Sequence, residues 1–376
     1  MDIDQPLTLL GGLSPATFMR RYWQRKPLLV RQAIPGFRAP ISRQTLFELA
    51  SRDEVESRLV AQDDQRGWRL QRGPFTRRAL PPLTRPRWTL LVQGVDLHHP
   101  AAHALLRQFA FVPAARLDDL MISLATDGGG VGPHYDSYDV FLLQAHGRRR
   151  WRIGRQKDLS LVEGLPLKIL KHFEVEHEWV LEPGDMLYLP PEWAHDGIAE
   201  GECQTYSIGF RVPARADLAR DLLQRVADVA GELPDRLYRD AGQPATATPG
   251  AIPEALQRFA AEAVAAALKD PHALECALGE SLTEPKPNVW FESGRAPRRL
   301  GAVVLDARTR MMYDARHVFV NGESWRAAGR DATLMRRLAD DRRLDARAVQ
   351  AASEDARALL ATWCEAGWVH PEGVTP

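Results

Sequence analysis

The sequence predicts an α+β protein that begins with a β-rich domain and continues into a helical region and a small C-terminal domain. Three observations support this prediction. Residues 1–212 contain short β-like runs between Gly/Pro turns, residues 213–275 change to helical spacing, and residues 276–376 combine a hairpin signal with helical segments. A chain of 376 residues is long enough for one large domain and one or two smaller ones.

The β-rich domain is indicated by runs of aliphatic, β-branched and aromatic residues. These runs are Trp88–Val92, Leu120–Ala125, Val140–Gln144, Arg150–Ile153, Met186–Leu189 and Tyr206–Phe210. Many short strands with frequent turns are typical of an antiparallel barrel or a double sheet. We therefore expect such a structure over residues 1–212.

The helical region has apolar residues at helical spacing in two segments, residues 218–229 and 256–267, on either side of a loop. Two helices alone cannot bury their apolar stripes. The stripes either cover the barrel or pair with a second copy of the chain. We predict the second arrangement, a homodimer in which residues 213–275 form the dimerisation region.

The C-terminal domain has a hairpin signal at Asn321-Gly322, a dipeptide that favours a two-residue turn between strands. Three helical segments follow, and Gly367 is placed to end the last of them. The segments are Ala332–Asp340, Asp345–Ala351 and Glu354–Glu365. A hairpin with these helices predicts a winged-helix-like module over residues 276–376, with a plain α+β accessory domain as the alternative.

The composition argues against several classes of protein. Lys+Arg and Asp+Glu both number 49, and a net charge of zero argues against strong non-specific attraction to nucleic acid or membranes. Arginines between residues 336 and 347 alternate with aspartates, as on a solvated helix surface. The three cysteines lack C-x-x-C spacing, which excludes a disulfide framework and a Cys-rich zinc module. The start of the chain does not resemble a signal peptide, and we expect a cytoplasmic protein without a membrane partner and without direct nucleic-acid binding.

A candidate metal site lies in Gly-Gly-Gly-Val-Gly-Pro-His134-Tyr-Asp136 and, about sixty residues later, Pro-Pro-Glu-Trp-Ala-His195. Two imidazoles and one carboxylate suit a mononuclear Fe(II) oxygenase, because they leave the other side of the ion for a co-substrate and O2. Residues i and i+2 of a strand point the same way, so His134 and Asp136 can reach one ion. His195 completes the set from a position before the strand at Tyr206–Phe210. A chance H-x-D pair is the alternative, and Zn, Mn or Ni could fill the same ligands.

Four of the five residues after Gly147 are arginines. On a strand, Arg149 shares a face with Trp151 and Ile153. A face that carries Trp and Ile is expected to line the barrel interior, where an arginine can bind a carboxylate through two parallel hydrogen bonds. The other three arginines, at positions 148, 150 and 152, are expected to form a solvated basic edge.

Further candidates for substrate contact follow from strand parity. Asp119, Met121 and Ser123 share one face of a predicted strand whose other face is aliphatic. Asp119 could pair with an incoming guanidinium, and Met121 could line its aliphatic stem. Tyr138 has the parity of the H-x-D pair, and Ser207 lies on the last predicted strand. The alternative for Tyr138 is a core tyrosine with a satisfied hydroxyl.

The glycine-rich run at residues 128–132 is not a dinucleotide fingerprint, because it lacks the G-x-G-x-x-G spacing and does not open a helix. Such a run allows close approach of the backbone to a bound peptide, or it forms a flexible hairpin connection.

Two segments together resemble a known family. DGGGVGPHYDSYDVFLLQAHGRRRWRIG and EPGDMLYLPPEWAH are similar to the JmjC-type cupin oxygenases, and to the bacterial ribosomal oxygenases among them. FMRRYWQRKPLLVRQAIPGF is similar to the segment that leads into that fold, so the resemblance covers roughly residues 10–212. It implies a double-stranded β-helix (jelly-roll) domain, with Fe(II) at the His-Asp-His set and 2-oxoglutarate and O2 as co-substrates. It also implies co-substrate binding by Arg149 and Ser123.

The resemblance further implies the substrate, an arginine of the large-subunit ribosomal protein numbered sixteen, hydroxylated at its β-carbon. Two alternatives stay open. The oxygenase could act on another protein residue such as histidine, or on a small molecule. In the other alternative, the chain is a non-catalytic cupin module whose winged helix binds the ribosome.

Overall fold

The structure, a computed structural model, describes residues 2–64, 67–230, 237–241, 243–269 and 272–372. The chain divides into two compact units, Met1–Val212 and Pro213–Pro376. This division falls where the β-like runs of the sequence end.

Unit 1 contains, within the described residues, a nine-stranded antiparallel sheet with three short α-helices. The strands are β1 (Leu28–Val30), β2 (Ser57–Asp63), β3 (Gly67–Arg72), β4 (Trp88–Val92), β5 (Leu117–Ala125), β6 (Val140–Arg155), β7 (His177–Leu181), β8 (Met186–Leu189) and β9 (Trp193–Phe210). The helices are α1 (Pro15–Arg21), α2 (Arg43–Ala50) and α3 (Pro100–Leu106). The strand order is β1-β8-β6-β9-β5-β4-β2-β3, and β7 pairs with the far end of β6. All of these pairings are antiparallel, as the sequence predicts.

Two of the predicted strands are parts of longer ones. The runs 140–144 and 150–153 are one strand, β6, because register shifts around His146 let it bend while it stays paired with β9. Gly147 makes the bend possible: its φ is +61°, and a Cβ there would lie 2.2 Å from the Glu202 carbonyl oxygen. Strand β9 begins at Trp193, so His195 lies within it. The prediction that His195 precedes this strand was wrong, because β9 continues through Gly197 and Gly201 while it stays paired with β6.

An aromatic core covers one face of the central strands. Helix α1 begins at Ser14, whose hydroxyl accepts from the Thr17 N–H, with Pro15 as first helical residue. The helix buries Phe18 completely, and its ring lies 5.5 Å from the ring of Phe141 and 5.0 Å from that of Tyr188. Each such side chain contributes roughly 1.5–3 kcal/mol by leaving water.

The remaining side chains of the same strands point away from the aromatic core. Because side chains alternate along a strand, Phe141 faces the aromatic core, whereas Val140 and Leu142 line a cavity on the opposite face. The core therefore fixes the strands from one side and leaves their second face for the site.

Unit 2 contains helices and two small sheets. The helices are α4 (Arg215–Ala230), α5 (Glu254–Ala267), α6 (Ala273–Thr283), α7 (Gly329–Asp341), α8 (Ala346–Ala351) and α9 (Glu354–Glu365). The strands are β10 (Val303–Leu305), β11 (Met311–Tyr313), β12 (His317–Val320), β13 (Glu323–Arg326), β14 (Arg343–Leu344) and β15 (Val369–Pro371). The sheet orders are β14-β10-β15 and β11-β12-β13.

The predicted hairpin turn and the predicted helix end of the C-terminal domain are both confirmed. Asn321 and Gly322 have φ of 49° and 90° and connect β12 to β13 in a two-residue hairpin. Gly367, with φ of 74°, ends α9: its N–H donates to the Cys364 carbonyl, and the next N–H donates to the Trp363 carbonyl. This is the hydrogen-bond pattern of a Schellman motif.

Helix α6 lies across the predicted boundary between residues 275 and 276. It packs against the hairpin, since a Cβ on Gly279 would lie 2.4 Å from the Phe319 ring and the Thr283 hydroxyl accepts from the Gly322 N–H. This contact with residues far along the chain has no local sequence signal. The helix also contacts α4, since the Ser281 hydroxyl donates to the Asp221 carboxylate.

Helix α5 has no buried residue among its described side chains. Its apolar residues Leu256 and Val264 are 37% and 63% exposed, and Leu223 on α4 is 55% exposed. Among the described residues, no helix is both long and apolar enough to cross a membrane.

Candidate metal centre and cavity

A cavity of about 640 Å³ lies in unit 1, on the sheet face opposite the aromatic core. Strands β2 to β6 and β9 contribute its floor and walls. All nine site residues that the sequence predicts line this cavity. They are Asp119, Met121, Ser123, His134, Asp136, Tyr138, Arg149, His195 and Ser207.

Three of these residues form a cluster suited to a metal ion. His134, Asp136 and His195 each offer one ligand atom, and these atoms lie within 4.8 Å of one another. The His195 Nε2 atom is 3.7 Å from the Asp136 Oδ2 atom. The Nδ1–H groups of His134 and His195 donate to the Gly132 and Trp193 carbonyls over 2.9 and 3.0 Å, and this tautomer leaves each Nε2 with its lone pair.

The His134–Asp136 segment is extended but is not part of a strand. His134 forms a single bridge with His195, in which each N–H donates to the other carbonyl over 3.0 and 2.7 Å. The Asp136 carbonyl accepts from the Glu192 N–H. The prediction of a strand at this point was wrong, because the segment pairs with β9 at only one position. Its backbone is nevertheless fixed to the strand that carries the third histidine.

Asp139 anchors the chain between the cluster and β6. Its buried carboxylate accepts from the Tyr188 hydroxyl at 2.6 Å and from the Gln24 amide at 3.0 Å. The Arg116 guanidinium lies 3.5 Å away. Burial and the Asp139 carboxylate raise the pKa of Tyr188, so its hydroxyl remains a donor.

The electrostatics favour the metal-binding protonation states. Burial and the neighbouring His134 lower the pKa of His195 to about 4, so its imidazole is neutral at pH 7. Burial raises the pKa of Tyr138, with Asp136 and Asp119 adding to the effect. Tyr138 therefore stays protonated beside the two carboxylates.

Arg149 is a buried cation at the other end of the cavity. It is 3% exposed and donates to the Ser123 hydroxyl and the Gly197 carbonyl at 3.0 Å each, and to the Thr205 hydroxyl at 3.4 Å. Its Nε–H has no partner, and no carboxylate of the described residues forms an ion pair with it. Burial lowers the pKa of Arg149. Burying an unpaired charge is costly, so the geometry fits an anionic ligand that would complete the site.

The three neighbouring arginines lie on the outer face, as parity predicts. Arg148 and Arg150 pair with Glu200 at 3.0 and 2.5 Å, and Arg152 pairs with Asp196 at 2.5 Å. These side chains are between a third and just over half exposed. The solvated basic edge is therefore neutralised by acidic residues of the same sheet.

Strand β5 forms the cavity floor with the predicted alternation. Asp119, Met121 and Ser123 line the cavity, whereas the residues between them are fully buried in the core. The Asp119 Oδ2 atom accepts from the Gln93 amide at 2.8 Å and from the Gly94 N–H at 3.0 Å. Met121 is paired with Ser207 of β9, so both side chains lie on the same part of the floor.

Comparisons with known proteins agree with this geometry. A JmjC domain model matches residues 104–218, and a ROXA-like winged-helix model matches residues 266–370. The crystal structure of Escherichia coli YcfD is similar with a TM-score of 0.80 and 31% identity, over 94% of this chain and 96% of that one. A second structure of YcfD, a ribosomal oxygenase from Escherichia coli in complex with cobalt and 2-oxoglutarate, is similar with a TM-score of 0.77 and 32% identity. That match covers 95% of this chain and 97% of the YcfD chain.

The chain belongs to the ribosomal oxygenase family. The predictions of a JmjC cupin domain and of a winged helix are confirmed, and the plain α+β accessory domain is thereby excluded. The E. coli relative named ribosomal protein uL16 3-hydroxylase is 40% identical over 240 residues, which is 62% of each chain. That alignment thus spans somewhat less than two thirds of the relative's length.

Sequence reasoning missed several polar residues of the cavity. The Thr205 hydroxyl accepts from Arg149 and donates to the Gln144 amide oxygen at 2.9 Å. Thr205 has the parity of Ser207, so the same strand argument could have found it. Gln93 directly follows β4, where the predicted strand had ended, and it carried no signal.

The glycine run at residues 128–132 makes close contacts within the chain itself. A Cβ on Gly129 would lie 2.6 Å from the Trp88 carbonyl oxygen, and one on Gly130 would lie 2.5 Å from that of Gly197. Both close approaches are to the protein's own backbone. Gly129 and Gly130 therefore have a packing role, and the approach of a bound peptide to this run stays a prediction.

Proposed function

We propose that this protein is an Fe(II)- and 2-oxoglutarate-dependent hydroxylase that acts on the β-carbon of an arginine in the large-subunit ribosomal protein uL16. The observation that carries the proposal is a buried guanidinium without a carboxylate partner, in the same cavity as a His-Asp-His cluster. The names of the E. coli relatives support the same reading.

The proposed metal ligands are His134, Asp136 and His195. Two neutral imidazoles and one carboxylate are the donor set of non-haem Fe(II) oxygenases. The backbone bridge between the histidines and the Nδ1–H bonds to carbonyls hold both rings in one orientation. Fixed ring orientation raises metal affinity, because little order must be gained on binding.

The proposed co-substrate residues are Arg149 and Ser123. A dicarboxylate can present its distal carboxylate to the Arg149 guanidinium, whose Nε–H has no partner in the protein. Ser123 Oγ, 3.0 Å from the guanidinium, would be a second donor to that carboxylate. Thr205 and Gly197 hold the guanidinium in place before any ligand arrives.

Fe(II) with 2-oxoglutarate supplies the oxidation: O2 is consumed, 2-oxoglutarate becomes succinate and CO2, and one oxygen atom enters a C–H bond. The protein's residues orient the partners and exclude water. Leu91, Val140, Leu142 and Trp151 give the cavity apolar walls that protect the reaction from stray reductants and protons. Tyr138 remains protonated, because burial and a hydrogen bond to Asp136 raise its pKa.

The substrate arginine is proposed to contact the floor formed by Asp119, Met121 and Ser207, with Tyr138 at its side. A carboxylate pairs with a guanidinium, and a thioether suits an aliphatic stem.

The non-catalytic alternative would need an accessible basic surface on the winged helix. Supporting our proposal instead, three arginines of the cluster at residues 336–347 are bonded within that domain. Arg337 pairs with Asp345 at 2.9 Å, Arg343 pairs with Glu372 at 2.8 Å, and Arg342 donates to the Thr309 carbonyl. We therefore propose no direct role in nucleic-acid binding.

We also propose that the protein is a homodimer through residues 213–275 and that it acts in the cytoplasm. The absence of buried described side chains in α5 and the exposure of Leu223, Leu256 and Val264 support the dimer. A ribosomal protein as substrate supports the location.

The test is hydroxylation of a uL16 peptide by the purified protein with Fe(II), 2-oxoglutarate and ascorbate. We expect a mass increase of about 16 Da on arginine, with one succinate formed per product. The variants Arg149→Met and Arg148→Met form a matched pair, because these neighbours lie on opposite faces of β6. Loss of product in the first only is expected, whereas no product from the wild-type protein would reject the proposal.

A further inference from the structure

A buried chain of hydrogen bonds leads from the bend of β6 to the Arg149 guanidinium. Arg149 donates to the Thr205 hydroxyl at 3.4 Å, and this hydroxyl donates to the Gln144 amide oxygen at 2.9 Å. The Gln144 amide nitrogen donates in turn to the carbonyls of His146 and Gly147, at 2.9 and 3.3 Å. Gln144 and Thr205 are 0% and 1% exposed, so water does not compete for these bonds.

The chemistry of the partners fixes the direction of each bond in this chain. The carbonyls of the β6 bend can only accept, so the Gln144 amide presents its nitrogen to them and its oxygen to Thr205. An amide oxygen cannot donate, so the Thr205 hydroxyl uses its single hydrogen on Gln144. Its lone pairs are then left for Arg149, whose N–H groups can only donate. Gln144 thereby sets the rotation of the Thr205 hydroxyl.

The orientation of Arg149 depends on neutral oxygens, since no carboxylate of the described residues forms an ion pair with it. These oxygens are the Ser123 and Thr205 hydroxyls and the Gly197 carbonyl. A backbone carbonyl is fixed by the fold, whereas a hydroxyl can rotate unless its hydrogen is held. Two parallel hydrogen bonds to a carboxylate require a guanidinium in one plane and at one angle. The order of these hydroxyls therefore bears on how well Arg149 can bind an anion.

We propose that Gln144 is a positioning residue for the co-substrate. It orients the Thr205 hydroxyl, and this hydroxyl holds the Arg149 guanidinium in the plane that a distal carboxylate needs. Gln144 is not among the residues that line the cavity, whereas Thr205 and Arg149 are, so Gln144 acts through Thr205 and not by touching a ligand. The proposal deepens the proposed function and rests on it, since it requires that 2-oxoglutarate binds at Arg149.

The experiment measures the dissociation constants of 2-oxoglutarate and of oxalate by calorimetric titration in the presence of Mn(II). Oxalate can chelate the metal but has no distal carboxylate for Arg149, so a general distortion of the site weakens both ligands. The variants are Gln144→Leu, Thr205→Val and the two combined. The matched control is Gln204→Leu, at a buried glutamine next to Thr205 that does not line the cavity and whose amide oxygen has no partner among the described residues.

Gln144→Leu is expected to weaken 2-oxoglutarate binding about three- to tenfold, the usual effect of one neutral hydrogen bond, and to leave oxalate within about twofold of wild type. Thr205→Val should weaken 2-oxoglutarate to a similar degree, and Thr205→Ser should recover most of that loss because it restores the hydroxyl. In the Thr205→Val background, Gln144→Leu should add less than about twofold, because a residue that acts through another has no further effect once that residue is changed. Gln204→Leu should match wild type with both ligands.

An unchanged affinity of Gln144→Leu for 2-oxoglutarate would overturn the proposal and leave the proposed function standing. An equal loss of affinity for oxalate, or effects of Gln144→Leu and Thr205→Val that simply add, would overturn it as well. If Gln144→Leu does not fold, the comparison of Thr205→Val with Thr205→Ser decides: equal affinities for 2-oxoglutarate reject the role of the hydroxyl, and recovery in Thr205→Ser supports it. If the wild-type protein does not bind 2-oxoglutarate, the proposed function is wrong and this proposal falls with it.

Discussion

Replacing Arg149 by methionine removes the buried cation while it keeps an unbranched apolar stem. In the proposed complex, Arg149 makes two charge-assisted hydrogen bonds to the distal carboxylate of 2-oxoglutarate. Such bonds are worth roughly 1.5–3 kcal/mol each, so their loss should weaken 2-oxoglutarate binding about 10²–10⁴-fold. Arg149→Lys keeps the charge but loses the planar fork, and a decrease of about 10–100-fold is expected.

The stability of the ligand-free protein gives this prediction a second part. Arg149 is 3% exposed, without a carboxylate partner among the described residues. Removing an unpaired buried charge relieves its desolvation cost, so the melting temperature of Arg149→Met without ligand should equal or exceed that of wild type. Binding and folding are thus expected to respond in opposite directions.

The assay is calorimetric titration of 2-oxoglutarate in the presence of Mn(II), together with thermal melts with and without 2-oxoglutarate. At a ligand concentration 100 times the dissociation constant, wild type should gain about 2.7 kcal/mol of stability, and Arg149→Met should gain almost none. Arg148→Met, on the outer face, is the control. The reasoning is refuted if Arg149→Met binds 2-oxoglutarate within threefold of wild type, or if Arg148→Met loses as much affinity.

Three further predictions concern other parts of the chain. Gly197→Ala would place a Cβ 2.6 Å from the Arg149 Nε atom, so the affinity for 2-oxoglutarate should fall at least tenfold. Mn(II) binding, measured by electron paramagnetic resonance, should be retained, and an equal loss of both affinities would contradict this prediction. Burial desolvates the Asp306 carboxylate, but hydrogen bonds from Arg308 and His370 outweigh this and lower its pKa from 3.8 to about 2. Its contribution to stability is therefore present above about pH 4 and lost as the pH falls towards 2. The melting temperature of Asp306→Asn should be below that of wild type at about pH 7 and should converge with it at about pH 2. Val264→Glu on α5 should halve the molar mass measured by light scattering if this helix forms the dimer interface, and an unchanged mass would reject that interface.

The parts of the site that depend on local pattern were predictable from the sequence. Alternation along a strand assigned Arg149 and Asp119 to the cavity face, and both residues line the cavity. The same rule sent Arg148 to the outer face, where it pairs with Glu200. Period-2 parity succeeds here because the two faces of each strand meet different surroundings, the cavity on one side and either the core or solvent on the other.

The parts that depend on distant pairing could not be read from local pattern. The start of β9 is fixed by pairing with β6, so the strand continues through Gly197 and Gly201, which locally resemble turn residues. The glycine run at 128–132 is explained by the close approach of backbones from β4 and β9, which only the fold brings together.

The central claim is that this protein hydroxylates an arginine of uL16, and intact-mass analysis of ribosomal proteins tests it most directly. A strain that lacks the gene is compared with the same strain complemented by the wild-type gene or by the His134→Ala variant. The account predicts that uL16 alone loses about 16 Da in the deletion strain and regains it only with the wild-type gene. An unchanged mass of uL16, or full restoration by His134→Ala, would contradict it.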